Sequence, residues 1–315
     1  MPDLLTHLGT SYAALRGTAG RDRLGAILLG GFLPDLAWIA RRAIEGLTDA
    51  DPVALSAWLI PWHTPFVMLF VTAAAAAFAR RPWSTFGILF AAVLVHHAFD
   101  AAQTRYGSGV LWLYPASLRE TSWGLFWPES AANHLLAVAS LFLLLGLAFG
   151  RIDRRQSGAV AGPAPAAGFS GISPGSPVRR PLPWLVAAAC AAIVVPTAAA
   201  TRERLIESNV YGMRLAARPE TLEGRQVALD RDRIASLAPL EVEAFNGRRF
   251  GLADAGGGLA VGDVVSIRGG YEGGVIRVRD LHRHRERLRD LYSYLGLGLL
   301  AVLLRRPRHG MISGR

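Results

Sequence analysis

The chain has a single cysteine, Cys190, in 315 residues. That excludes an intrachain disulfide and a cysteine-based zinc site, and it leaves the redox compartment unmarked. Charge is scarce as well: 18% of residues are charged, against roughly 25% in ordinary soluble domains. There is no acidic surplus, because 34 basic residues face 24 acidic ones and leave a net charge of +10. The opening residues, Met1-Pro2-Asp3-Leu4-Leu5-Thr6-His7, carry no basic n-region. They predict no cleavable signal peptide, so entry into a membrane falls to internal segments that stay in place. No internal repeat is evident.

Apolar residues take up the space that charge leaves, at 51% of the chain. Apolar runs fall at about residues 24–40, 53–79, 86–100 and 131–149, separated by breakers such as Arg81-Pro82 and Trp127-Pro128. Long runs with few charges predict buried or membrane-spanning helices. Residues 131–149 approach the ~20 that a span needs. The shorter runs also suit a helical bundle lying against the bilayer. Residues 156–181 are rich in Pro, Gly and Ala, and their composition predicts a flexible linker. Residues 182–200 predict a transmembrane helix, with Pro196 as a kink point. From 205 to 285 the pattern turns to short β-branched or alternating stretches, among them 226–229, 240–245, 264–268 and 275–278, divided by Asn246-Gly247 and Gly269-Gly270. This is strand and turn patterning. It predicts four or five short strands in a small β module, barrel-like and OB-like. A short hydrophobic helix is expected at 291–304.

The predicted fold is therefore mainly α. A membrane-associated helical bundle covers 1–155, followed by the linker, the transmembrane helix, the β module and the short C-terminal helix. Arginines flank the apolar runs at 41–42, 80–81, 151–155, 179–180 and 305–306. Such flanks favour the cytoplasmic face and anionic lipid. They predict a multi-pass protein of the inner (cytoplasmic) membrane, with the β module facing outward. A basic chain also suits nucleic acid. An OB-like module would then need aromatic platforms on a basic groove, for which Phe245, Phe250 and Tyr271 with Arg248, Arg249 and Arg268 are candidates. The charges form no single stripe, so nucleic acid is the lesser expectation and membrane lipid the greater.

Polar chemistry concentrates in the first half. Five of the 8 histidines, His7, His63, His96, His97 and His134, precede residue 135. His96 and Asp100 are four apart, so one helix face presents an imidazole and a carboxylate roughly 6 Å from each other. His97 stands three before the same Asp100. A carboxylate inside Ala91-Ala92-Val93-Leu94-Val95-His96-His97-Ala98-Phe99-Asp100 is costly unless paired or metal-bound. A buried His–carboxylate hydrogen bond satisfies the pair equally well. Asp35, after Pro34, reads as a helix N-cap or as a ligand. Imidazole and carboxylate donors suit zinc, with manganese or iron also acceptable.

The order His7, Gly-Phe-Leu-Pro-Asp at 31–35, His63-Thr64, His96-x-x-x-Asp100, Thr104-x-Tyr106-Gly107 and Leu113-Tyr114-Pro115 resembles the YdjM-like family of membrane-bound metal-dependent hydrolases. That family is distantly similar to the zinc-dependent phospholipase C group. The resemblance covers residues 1–150. It implies a divalent-metal site held by His7, Asp35, His63, His96 and Asp100, with Asp35 able to bridge two ions. It also implies hydrolysis of a phosphoester or lipid-linked compound, Asp35 or Asp100 taking a proton from the attacking water. Arg105 and Arg119 would receive phosphate, beside Tyr106. Two departures stand out. Ala37 occupies the position of a second family Asp, and only Trp62-His63-Thr64-Pro65 remains of a longer His-containing motif. Glu129 and His134 are candidates for the missing ligands. The departures keep a second expectation open: a non-catalytic membrane scaffold or binding protein with a structural or degenerate metal site.

Overall fold

A computed structural model describes residues 3–17, 23–150, 182–285 and 287–305. The expected linker, 156–181, lies outside the described residues.

Helix α1 (Leu4–Leu15) is capped by Asp3, whose carboxylate accepts from the Thr6 amide at 2.7 Å. Helices α2 (Leu24–Phe32) and α3 (Leu36–Leu47) are joined by a 3-10 turn at Leu33–Asp35, where Pro34 cannot donate to the helical ladder. Helix α4 (Pro52–Leu59) runs into a second 3-10 turn at Ile60–His63, and α5 (Pro65–Ala77) leaves it at an angle of 67°. Pro61 and Pro65 account for that break. Thr64 seals it by capping the Val67 amide and donating to the Pro61 carbonyl. Helices α6 (Pro82–Ala102) and α7 (Ala131–Ala148) follow, with a long irregular stretch between them, and then α8 (Leu182–Glu207). α8 outruns the expected 182–200 segment. Thr201-Arg202-Glu203-Arg204 are polar but helix-compatible, so the helix continues after the apolar run ends.

Among the described residues, four helical segments are long and apolar enough to cross a membrane: Leu24–Leu47, Pro82–Ala102, Ala131–Ala148 and Leu182–Glu207. The bent α4–α5 pair qualifies as a broken fifth. The most apolar window of α8 has only 11% of its residues buried within the protein. Trp184 and Leu185 on it, and Leu135 and Phe142 on α7, are exposed. A helix so apolar and so uncovered needs lipid or protein around it. Close helix crossings use glycine. A Cβ on Gly30 of α2 would stand 2.4 Å from the Leu89 carbonyl oxygen of α6, and one on Gly9 of α1 would stand 2.1 Å from the Ser140 hydroxyl of α7. Small residues at such crossings let backbones approach.

The first strand begins at Gln226, inside the expected 205–285 module. Residues before it are helical or turn: a 3-10 turn at Val210–Gly212, helix α9 (Met213–Ala217) and a 3-10 turn at Pro219–Leu222. Five strands follow: β1 (Gln226–Leu237), β2 (Leu240–Glu243), β3 (Arg249–Ala253), β4 (Val264–Glu272) and β5 (Val275–Arg283). Pairing runs β1-β2-β3-β5-β4, and β4 pairs back with β1. The β3–β5 contact is parallel and narrow, Gly251–Ala253 against Val275–Arg277. Val227, Leu229, Ile234, Val242, Val265, Ile267 and Ile276 fill the interior. Helix α10 (Arg287–Arg305) returns to the bundle, where Leu300 and Leu303 join the core of Leu5, Leu8, Ile27, Leu28 and Leu144.

The sheet sits on the α6–α7 connection. The Tyr211 amide donates to the Gly107 carbonyl at 2.8 Å, Ser108 bonds Asp230, and the Arg268 guanidinium lies 4.1 Å over the Tyr106 ring. This contact brings β1, β4 and β5 to the end of α6 that carries His96 and Asp100.

Candidate metal centre

Three breaks and one helix build a buried cluster. The Asp3 cap starts α1 and sets His7 one turn in. Asn133 of α7 also donates to Asp3, at 3.2 Å, and ties that end of α1 to the bundle. The Pro34 turn delivers Asp35, and the Pro61–Pro65 break delivers His63. On α6, His96 and Asp100 point to one face. His7, His63, His96 and Asp100 are all buried, and Asp35 is 5% exposed.

Asp100 is the hub. One of its oxygens, Oδ2, lies 3.1 Å from His63 Nε2 and 3.3 Å from His96 Nε2. The other, Oδ1, lies 3.6 Å from His7 Nε2 and accepts from the Arg105 guanidinium at 2.8 Å. Asp35 Oδ1 is 3.6 Å from His96 Nε2. The His7 and His96 rings stack at 3.6 Å. Most of these contacts lack hydrogen-bond geometry. Both nitrogens of His7 and of His63, His96 Nε2, Asp35 Oδ1 and Asp100 Oδ2 are buried without a hydrogen-bond partner among the described residues. Asp35 makes no capping hydrogen bond to α3, so the N-cap expectation gives way to one in which its carboxylate faces His96.

His96 shows what the cluster demands. Its Nδ1 lies 2.9 Å from the Gly31 carbonyl oxygen, which can only accept, so Nδ1 carries the proton. In neutral imidazole the other nitrogen, Nε2, then holds a lone pair. That lone pair faces the carboxylates of Asp35 and Asp100. Lone pair against carboxylate is repulsive, and either a second proton on the ring or a metal cation between the groups removes that repulsion. Donors at about 2.0–2.1 Å from a tetrahedral zinc ion are roughly 3.3–3.4 Å from each other. The observed spacings of 3.1 to 3.6 Å fit that requirement. A hydrogen bond from the non-ligating nitrogen to a backbone carbonyl is also the usual way an imidazole ligand is oriented. These buried His and Asp groups can hold a metal ion, in two overlapping sets: His63, His96, His97 and Asp100, and His7, Asp35 and His96.

His97 was not among the expected ligands. It is buried with both nitrogens unpartnered, and its ring is 5.0 Å from that of His63. Its signal was the three-residue spacing to Asp100. Arg105 was expected at the substrate. Its buried guanidinium instead pairs with Asp100 and donates to Gln103 at 3.0 Å. Tyr106 packs on Trp127 and Arg268, and Arg119 is exposed on the α6–α7 connection. Neither expected supplementary ligand reaches the cluster. His134 lies at the start of α7 against Tyr292. Glu129 bonds His282 and His284 at the edge of the sheet.

Around the cluster, the α6–α7 connection and sheet form a charged interface. Burial pushes the Glu120 carboxyl up to about 7, although it accepts from the Tyr211 amide at 3.1 Å. Burial would also raise Asp230, but Arg231, Arg105 and the Ser108 and Ser266 hydroxyls outweigh it and hold it below its ordinary range. The same contest at Glu129 ends at about 2, through His284, His282 and Arg231.

No known protein family, curated protein or solved structure matches the chain.

Proposed function

We infer that the chain is a membrane-bound metal-dependent hydrolase acting on a phosphoester or lipid-linked substrate. Its divalent ion, zinc by donor chemistry, would be held by His7, Asp35, His63, His96 and Asp100, with His97 beside them. The observation that carries this reading is the buried cluster in which His96, oriented by Gly31, holds Nε2 3.3 Å from Asp100 and 3.6 Å from Asp35. The order of the motifs and their likeness to the YdjM-like hydrolases supply the reaction class. When bound, a divalent ion lowers the pKa of water toward ~7 and polarises a phosphoryl oxygen. The chain's own part is to exclude bulk water and to place Asp35, its Oδ1 3.6 Å from His96 Nε2, where it can take a proton. Arg105 neutralises Asp100 and fixes its orientation, a positioning role.

The same reading places the protein in the inner membrane, with the sheet as an OB-like barrel outside. Arg80-Arg81 precede α6, Arg179-Arg180 precede α8 and Arg305 ends α10, while the sheet joins the opposite ends, which on α8 and α10 also carry Arg202, Arg204 and Arg289. Exposed Leu113, Trp123 and Leu125 on the α6–α7 connection suit an interface between lipid and water.

Two observations favour a second reading, a non-catalytic scaffold with a structural or degenerate site. Position 37 is a buried alanine, and Arg105 already compensates Asp100. Hydrolysis separates the two. Purified protein should cleave a generic phosphoester with zinc and lose that activity with chelator or with His96→Ala. Bound metal without turnover in the unaltered chain supports the scaffold.

A further inference from the structure

A second group of metal-type donors lies some way along the α6–α7 connection, at its contact with the sheet. Glu129, His282 and His284 each offer one donor atom, and the three atoms lie within 4.8 Å of one another. Glu129 comes from the helical half, just before α7. His282 lies at the end of β5 and His284 just beyond it, two apart, so continuing strand alternation turns both to one side. We propose that these three residues form a second divalent-metal site, selective for zinc-type ions, which joins the sheet to the helical half.

The hydrogen bonds around His284 repeat the logic at His96. The Ser266 hydroxyl has one proton and gives it to Asp230 Oδ1 at 2.6 Å, a carboxylate that can only accept. Ser266 Oγ then accepts from the Arg231 amide at 3.2 Å and from His284 Nε2 at 2.7 Å. The proton of neutral His284 therefore sits on Nε2, and the Nδ1 lone pair faces Glu129 Oε1 at 3.0 Å. A second ring proton donated to Glu129 or a metal cation between the two groups resolves the conflict, and a zinc count separates the two. The carboxylate–hydroxyl–imidazole chain is also the outer support that metal-bound histidines have.

The other ligands are equally well held. The His282 ring stacks on Trp127 at 3.7 Å with an angle of 3° between planes, and its Nε2 meets the same Glu129 oxygen. Arg231 lies 3.3 Å from the second Glu129 oxygen, which leaves Oε1 for the ion. Two histidines and a carboxylate with one side partly open, His282 being 27% exposed, make three protein ligands and room for a fourth, exchangeable one. This site shares no residue with the first cluster and does not depend on the function assigned to it.

Zinc alone is the probe. The full chain in detergent is stripped with chelator, reloaded, and its bound zinc is counted. The unaltered protein should hold one zinc more than His282→Ala or Glu129→Gln, and His96→Ala should keep that zinc. Ser266→Ala should keep the full count at saturation while weakening affinity about 10–100-fold, as loss of an outer hydrogen bond does. A structural clamp without metal would show no such shift. Glu129→Gln preserves side-chain shape and serves where His282→Ala does not fold. A full zinc count in either variant overturns the proposal, and so does a His96→Ala protein that holds none.

Discussion

Replacing Asp100 with asparagine separates what the carboxylate does for the fold from what it does for an ion. In the absence of metal, Asp100 compensates Arg105 at 2.8 Å, with both side chains buried. Asparagine keeps the shape but offers the guanidinium a neutral amide oxygen in place of a carboxylate, beside the neutral Gln103 oxygen at 3.0 Å and the Ser108 carbonyl at 3.5 Å. Breaking a buried pair on one side costs about 3–5 kcal/mol. With metal present the unaltered protein gains further stability by mass action, about 4 kcal/mol at zinc 1,000-fold above its Kd. A variant that has lost the site gains none of it. At roughly 2–4 °C per kcal/mol for a chain of this size, zinc should therefore raise the melting temperature of the unaltered protein by about 8–16 °C. Asp100→Asn should melt lower in chelator and respond to zinc only through other sites, which His282→Ala in the same background removes. The assay is thermal unfolding of four proteins, with and without zinc. An equal zinc response in the unaltered chain and in Asp100→Asn would refute the reasoning, since the cost would then belong to Arg105 alone.

Further outcomes follow from other parts of the molecule. The Glu120 carboxyl, raised to about 7 from an ordinary value of 4.5, contributes stability that is complete below its unfolded value and lost as pH rises through the folded one. Glu120→Gln should thus match the unaltered protein near pH 5 and melt higher at pH 8; equal melting curves at both values would show that the group is solvated. Gly30→Ala forces a Cβ to within 2.4 Å of the Leu89 carbonyl and should cost about 1–3 kcal/mol by overpacking, while weakening zinc binding because α2 carries Gly31 and leads to Asp35. Undiminished zinc affinity would mean that α2 does not set the site. In a Cys190→Ala background, a cysteine at Arg248, beyond β2 in the sheet module, should react with an impermeant maleimide added outside intact cells, and one at Arg80 should not. The reverse pattern would invert the orientation.

How much of this was legible in the sequence follows from range. Apolar runs locate α5, α6 and α7 because lipid-facing and core-facing residues are apolar alike. The pairing of His96 with Asp100 follows from one helical turn, and proline explains both turns that deliver Asp35 and His63. The end of α8 at Glu207 was hidden, since polarity and helicity part company where the helix leaves the apolar zone. β3 was hidden too, because Arg249–Ala253 is short, contains Gly251 and pairs in parallel with β5, which no hairpin pattern announces. Arg105 looked like a substrate ligand because its partner, Asp100, becomes visible only when the chain turns back after α6. Glu129 and His282 are separated by the linker, α8 and most of the sheet. Only the docked sheet brings them together, and the sole local trace was the alternation of His282 and His284.

The central claim is that the buried histidines and aspartates at the end of α6 hold a metal ion. The most direct measurement is an anomalous difference map from crystals of the zinc-loaded chain, collected on either side of the zinc edge. The account predicts a peak within about 2.0–2.3 Å of both His96 Nε2 and an Asp100 oxygen, with His96 Nδ1 still bonded to Gly31. A well-ordered His96 and Asp100 without a peak between them, bridged by water or by a direct hydrogen bond, would contradict it.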